Sequence, residues 1–175
     1  MNPSPHSEIR ELAERYGFAI DTRDVDLVGS LFSHASTFGK FGDGSTGASA
    51  FYESIWTTFG RSVHTISNVI VTASDDACAS GVVYCRAEQQ LTAETWKVVN
   101  LCYIDLYVNE DNAWHFLSRS AHFWSNDLLK GRSLPSQSEL PHGVQSLPSP
   151  EVFESWHRYW SRHQDQAHLV GVSLS

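Results

Sequence analysis

The middle of the chain is made of four long runs rich in β-branched and aromatic residues, and the shortness of the breaks between them restricts the fold more than any other feature. The runs are Arg61–Ala73, Ala77–Leu91, Thr95–Val108 and Ala113–Trp124. Ser74-Asp75-Asp76, a break near Thr92-Ala93, and Asn109-Glu110-Asp111-Asn112 separate them, all with turn chemistry. Parallel neighbours need a crossover of a dozen or more residues, so long strands joined this tightly form an antiparallel meander.

Ahead of the strands the apolar period is helical. Ser7 is a candidate N-cap, with Glu8 and Glu11 in the first turn where the helix dipole favours them. Ile9, Leu12, Tyr16 and Ile20 then recur as one stripe, and Asp21 lies just past it. Asp24 reads as the cap of a shorter helix carrying Leu27, Val28, Leu31 and Phe32. Ala35–Phe41 reads as a short strand, Gly42-Asp43-Gly44 as a turn, and Ala48–Thr58 as a third helix. Three helices and then a meander predict an α+β domain with helices covering one sheet face.

After Trp124 the composition shifts. Residues 126–150 are loaded with Ser, Pro and Gly and read as a connector. Ser149-Pro150-Glu151 is a helix start, with proline at the first helical position. Val152, Phe153, Trp156, Tyr159, Trp160 and His163 line one face of a helix over residues 151–166. That stripe must be buried: on its own domain, in a dimer contact, or as a cover over a site. The expected organisation is one domain over residues 1–125, the connector, and the terminal helix. A chain of 175 residues, 41% hydrophobic, has enough material for one real core and too little for two.

A net charge of −8 without a clustered basic patch argues against nucleic acid or an anionic membrane as a partner. No segment is long enough to span a bilayer, and residues 1–6 contain no apolar run for a signal peptide. Cys78, Cys85 and Cys102 match no metal spacing, sit inside strands, and are expected to be buried free thiols in a reducing, cytoplasmic setting. His157 and His163 are six apart and make no ligand pair on one helix face. No phosphate loop, nucleophile elbow or dinucleotide fingerprint appears, so neither metal nor cofactor is expected.

The candidate chemistry lies on the first strand. Alternation puts His64, Ile66, Asn68 and Ile70 on one face. A base that titrates near neutral pH, an amide and apolar walls are what a small enclosed site needs. Read alone, His64 is equally a core histidine satisfied by a hydrogen bond, and Asp21 a helix-end carboxylate in solvent.

Several short motifs together resemble the SnoaL-like branch of the nuclear transport factor 2-like superfamily. They are Tyr16-Gly17-Phe18-Ala19-Ile20-Asp21 closing the first helix, Leu31-Phe32 before a Gly-rich turn, and His64 within Val-His-Thr-Ile-Ser-Asn. Tyr103-Ile104-Asp105 and Trp114-His115-Phe116-Leu117-Ser118-Arg119 complete the set, over about residues 5–124. The resemblance implies a conical α+β barrel around an apolar pocket, and homodimers. It also implies cofactor-free acid/base chemistry on hydrophobic small molecules, as in scytalone and bile-acid dehydratases, hexachlorocyclohexane dehydrochlorinase and polyketide cyclases. Carried over by position, it makes His64 the base, Asp21 its orienter and Tyr16 a hydrogen-bond donor. It also implies a third polar residue about two dozen positions past the histidine, for which Glu88 is the candidate.

Five residues on an ideal helix turn roughly 140°, so Tyr16 and Asp21 converge only if the helix ends or bends between them, with Gly17 the place to do so. Asn68, Tyr84, Arg119 and Trp56 are the expected substrate-binding residues. Glu88 has a competing reading as an ion-pair partner of Arg86 or Arg119, and Asp105 reads as structural. Two functions follow: a dehydratase, isomerase or cyclase of a hydroxylated ring or polyketide-like compound, or a non-catalytic carrier or assembly subunit on the same scaffold.

Overall fold

A computed structural model describes residues 4–131 and 150–172. Helices α1 (Pro5–Thr22), α2 (Val25–Ser30) and α3 (Gly44–Trp56) precede strands β1 (Ser62–Ser74), β2 (Cys78–Gln90), β3 (Thr95–Glu110) and β4 (Ala113–Lys130). The strands form one antiparallel sheet in the order β1-β2-β3-β4. The chain is an α+β fold with a curved sheet.

Helix α1 starts earlier than its charge pattern suggests. Ser4 is the N-cap, its hydroxyl accepting from the Ser7 amide at 3.3 Å, and Pro5 takes the first helical position. Proline there has no amide to leave unsatisfied and its φ is already helical, which outweighs the acidic first turn after Ser7. Asp24 caps α2 as expected, accepting from the Leu27 amide at 2.9 Å. The expected strand at residues 35–41 is a single bridge, Thr37 to Asp43, followed by a 3-10 turn at Gly39–Phe41.

Extra residues bend the sheet at defined places. Between Ile66 and Val69 strand β1 advances three residues while β2 advances two, from Cys85 to Val83. This bulge reverses the facing pattern. Val69 is therefore buried, while Asn68 and Ile70 are exposed. Two more bulges lie in β4, opposite the steps Asn100/Leu101 and Leu106/Tyr107 of β3.

Helix α1 lies directly on β1. A Cβ added at Gly17 would sit 3.3 Å from Ile66 Cγ1 and 3.5 Å from His64 Cβ, so the glycine sets how closely the helix approaches. The helix is unbroken through Gly17 to Thr22. Gly17 thus serves close packing, not a bend.

The strand β4 continues to Lys130, so the first positions of the expected connector are sheet; residues 132–149 lie outside the described residues. The expected terminal helix is two helices, α4 (Glu154–Arg162) and α5 (Gln164–Ala167), flanked by 3-10 turns. Part of its stripe packs on its own domain: Trp156, Tyr159 and Trp160 are buried, whereas Val152 and Phe153 are exposed. The Tyr159 hydroxyl donates to the Glu53 carbonyl at 3.0 Å, and the Ser155 hydroxyl to the Thr22 carbonyl at 2.8 Å. Arg61 and Glu151 form an ion pair. Cys85 and Cys102 are buried free thiols, but Cys78, at the start of β2, is exposed.

Candidate active site

The concave side of the sheet and the helices enclose a cavity of about 350 Å³. Most of its wall is apolar: Ile20 from α1, Phe51, Ile55 and Trp56 from α3, Phe59, Ala87, Val99, Leu101, Ala121 and Phe123. Its polar groups are His64, Gln89, Arg119 and the phenols of Tyr16, Tyr52 and Tyr103. An apolar cavity with a few convergent polar groups is the usual form of a small-molecule site.

Asp21 and His64 meet behind one part of this wall. The ring Nδ1 of His64 donates to Asp21 Oδ1 at 2.7 Å, and the His64 backbone amide donates to Oδ2 at 2.7 Å. The Ser62 hydroxyl adds a third bond, to Oδ1 at 2.8 Å. Three donors fix the carboxylate, and the carboxylate fixes the tautomer with the proton on Nδ1. His64 Nε2 has no protein partner among the described residues and is the nitrogen left for the cavity. The His64 side chain is 5% exposed and that of Asp21 21%. Asp21 is not among the residues that line the cavity and touches one of them, His64, at its Nδ1.

Tyr16 enters from another side, which answers the helical geometry: it shares α1 with Asp21 but does not have to converge with it. The Tyr52 hydroxyl donates to the Tyr16 hydroxyl at 3.3 Å. Burial pushes the Tyr16 phenol up, only partly opposed by the nearby Arg119 cation. Tyr52 and Tyr103 are raised further, again by burial and then by the neighbouring phenol of Tyr16. These hydroxyls are donors at neutral pH, not phenolates.

Arg119 is held from below by Asp105, its partner across β3 and β4. Nε donates to Oδ1 at 2.9 Å and Nη2 to Oδ2 at 2.7 Å. The Tyr107 hydroxyl donates to Asp105 Oδ2 at 2.8 Å. The guanidinium lies over the rings of Tyr16, Tyr103 and Phe116 at 4.2, 4.2 and 4.1 Å. Burial alone would lower its pKa, but Asp105 more than offsets this and keeps it protonated. Nη1 is buried and has no hydrogen-bond partner among the described residues; the same is true of the Trp56 indole nitrogen. Both residues line the cavity.

Three expected site residues lie elsewhere. Glu88 is on the other face of β2, where its Oε1 accepts from Arg86 Nε and Nη2 at 3.2 and 3.1 Å. The polar side chain that β2 sends into the cavity is its neighbour Gln89. The register Ser62 opposite Gln89 and His64 opposite Ala87 sets this parity. Tyr84 shares the outer face and packs edge-on against Trp124 at 4.7 Å. Asn68 is exposed through the β1 bulge. The small or apolar alternation Val83, Cys85, Ala87 marks the inward face of β2 and would have picked out Gln89. Ser62, Tyr52 and Tyr103 also belong to the site or its edge and are not among the expected residues, because a serine at a strand start and tyrosines within apolar patterns do not separate a site from a core. Among the described residues no group of three or more His, Cys, Asp or Glu side chains is arranged to hold a metal ion. No described helix is long and apolar enough to cross a membrane.

The fold is a helix-covered curved sheet around an apolar cavity, with a histidine on the cavity wall held by a carboxylate. The chain belongs to the SnoaL-like domain family, of the nuclear transport factor 2-like superfamily, whose model matches residues 5–120. No curated protein matches it by sequence. Among solved structures it is similar to the hexachlorocyclohexane dehydrochlorinase LinA type 3 of Novosphingobium barchaimii. That match has 16% identity and a TM-score of 0.65, over 74% of this chain and 93% of that one. A candidate scytalone dehydratase of Novosphingobium aromaticivorans matches with 20% identity and a TM-score of 0.60, over 80% and 94% of the two chains. Rv3472 of Mycobacterium tuberculosis, a protein of unknown function, matches with 17% identity and a TM-score of 0.58, over 96% and 97%. Similarity at this level shows a shared fold.

Proposed function

We propose that the protein is an acid/base enzyme acting on a hydrophobic small molecule, with His64 as the base and Asp21 as its orienter. The observation that carries this is the His64 ring on the cavity wall with Nδ1 held by Asp21. The unpartnered Nε2 takes a proton from a carbon next to an activating group. The electron pair left behind moves onto a carbonyl oxygen or expels a leaving group from the next carbon. Arg119 Nη1 and the Tyr16 hydroxyl supply donors where that negative charge develops. A carrier or assembly subunit, the competing reading, makes no use of a carboxylate aimed at a cavity-lining imidazole.

The polar set narrows the reaction. Gln89 stands where a second acid would enter from β2, and an amide neither gives nor takes a proton. The phenols are held protonated by burial. His64 therefore returns the proton it removed, to the departing oxygen in a dehydration or to another carbon in an isomerisation. Alternatively the leaving group departs as an anion against Arg119, as chloride would from a ring like those named for the LinA proteins. A positioned base accounts for roughly 10²–10⁴-fold in rate; donors and cavity shape supply the remainder.

The test is turnover of hydroxylated and halogenated cyclic compounds with an acidic C–H, by the wild type and His64→Ala. Turnover that falls about 10²–10⁴-fold in the variant, with the circular dichroism spectrum unchanged, supports the reading. Equal turnover by the two proteins overturns it.

A further inference from the structure

Arg23 is a buried cation with an unusual set of partners. It follows α1 in the left-handed backbone region, with φ of 57°, and is 1% exposed. Its guanidinium donates to the carbonyls of Ile20, Phe59 and Gly60 and to the Ser62 hydroxyl, the last at 3.3 Å. The faces of Trp56, Phe59 and Trp156 surround it at 5.4, 4.6 and 5.4 Å. Among the described residues no carboxylate forms an ion pair with it. Burying a charge in this way is costly unless it is compensated. Burial pushes the guanidinium down to about 10, against the opposing influence of Tyr159 and Asp21.

The compensation runs through Ser62. Its oxygen accepts from Arg23 and its proton goes to Asp21 Oδ1 at 2.8 Å. Accepting from Arg23 leaves the hydroxyl proton only one useful direction, toward the carboxylate. Trp156, from α4, supplies one of the three aromatic rings around the cation, its centroid 5.4 Å from the guanidinium carbon. Trp156 lies outside the segment matched by the family model, which ends at residue 120. The order Trp156, Arg23, Ser62, Asp21, His64 thus joins the C-terminal segment to the cavity wall.

We infer that Arg23 is a positioning residue for the Asp21–His64 pair, acting through Ser62, and that Trp156 completes this support by stacking on Arg23. The inference gives a role to the pair described above and rests on that reading of the site. A backbone clip is the simpler role for Arg23, since its carbonyl contacts tie the end of α1 to the start of β1. The two roles differ in what happens to the His64 ring.

The experiment reads that ring directly, without substrate. Long-range ¹H–¹⁵N spectra of ¹⁵N-labelled full-length protein report which ring nitrogen carries the proton. In the wild type His64 is a single Nδ1–H tautomer. Ser62→Ala, Arg23→Met and Trp156→Ala each lower the Nδ1–H to Nε2–H ratio. The drop is about tenfold for Ser62→Ala, the size of one lost charge-assisted hydrogen bond. Unchanged tautomers in both Ser62→Ala and Arg23→Met, alongside lower melting temperatures, overturn the positioning role and leave a backbone clip. If Arg23→Met does not fold, an unchanged tautomer in Ser62→Ala is sufficient to overturn it. An unchanged tautomer in Trp156→Ala overturns the part assigned to the C-terminal segment. Tautomer changes in a protein with no turnover of any compound tested uphold the positioning role and count against the enzyme reading alone.

Discussion

Asp105 and Arg119 face each other across β3 and β4 in a two-pronged ion pair, with side chains 0% and 2% exposed. The pair spends two guanidinium nitrogens on Asp105 and leaves Nη1 at the cavity. Breaking a buried pair leaves an uncompensated charge, so Asp105→Asn is expected to destabilise the protein by about 3–5 kcal/mol. Replacing both partners with apolar residues, as in Asp105→Leu with Arg119→Met, is expected to be less destabilising than Asp105→Asn alone. Urea unfolding of the three proteins checks the order. A double variant less stable than Asp105→Asn would contradict the pairing as the main source of the loss.

Tyr16 separates packing from chemistry. Its ring belongs to the aromatic core with Tyr52, Tyr103 and Phe116, at centroid distances of 5.8, 5.6 and 5.9 Å. Tyr16→Phe keeps those contacts and removes only the hydroxyl, so stability is expected to change by about 1 kcal/mol or less. Turnover is expected to fall roughly tenfold or more, the effect of losing one donor to developing charge. Thermal melts and steady-state rates on the same preparation read the two quantities.

Strand parity predicts opposite outcomes at adjacent positions. Glu88→Gln alters a half-exposed pair with Arg86 on the sheet face away from the cavity and is expected to leave rate and KM within about twofold. Gln89→Ala removes a cavity-lining amide and is expected to raise KM about tenfold, roughly the worth of one hydrogen bond to substrate. Reversed outcomes would mean that β2 presents its other face to the ligand.

Acid stability should depend on Glu110. Partial burial pushes its carboxyl up, but hydrogen bonds from the Ser33 hydroxyl and from His34 more than offset this and leave it below its ordinary 4.5. A carboxyl depressed in the folded state stabilises fully above its unfolded value and loses that contribution as pH falls through the folded one. Glu110→Gln is therefore expected to lower stability by about 1 kcal/mol at pH 7, with the gap to wild type closing below about pH 4. Denaturant midpoints at pH 3 and pH 7 measure this. A gap that widens on acidification would have the wrong sign.

The strands and the three leading helices were legible because their signals are local: period, caps and turn chemistry. Where two local signals competed, as Ser4-Pro5 against Ser7-Glu8, the proline decided the helix start. His64 and Asp21 were legible through motif position, and Trp56 and Arg119 also line the cavity. Asn68 and Glu88 lie on the side opposite the expected one for one physical reason: a period of two carries a side chain across the sheet with every one-residue error. A bulge supplied that error in β1, and the count of about two dozen positions carried over from the resemblance supplied it at Glu88, one residue short of Gln89. Arg23 was not legible at all. In a polar turn next to Asp24 it carries no local signal, and its burial comes from Trp56, Phe59 and Trp156, which all lie further along the chain.

The most direct test of His64 as a base is hydrogen–deuterium exchange at the carbon next to the carbonyl of hydrophobic cyclic ketones, followed by NMR in D₂O. Exchange reads proton abstraction whether or not a leaving group is present. Wild-type protein is expected to accelerate exchange for at least one such ketone, and His64→Ala to lose about 10²–10⁴-fold of that acceleration. Exchange that persists undiminished in folded His64→Ala would contradict a base at His64 and, with it, the proposed chemistry of the cavity.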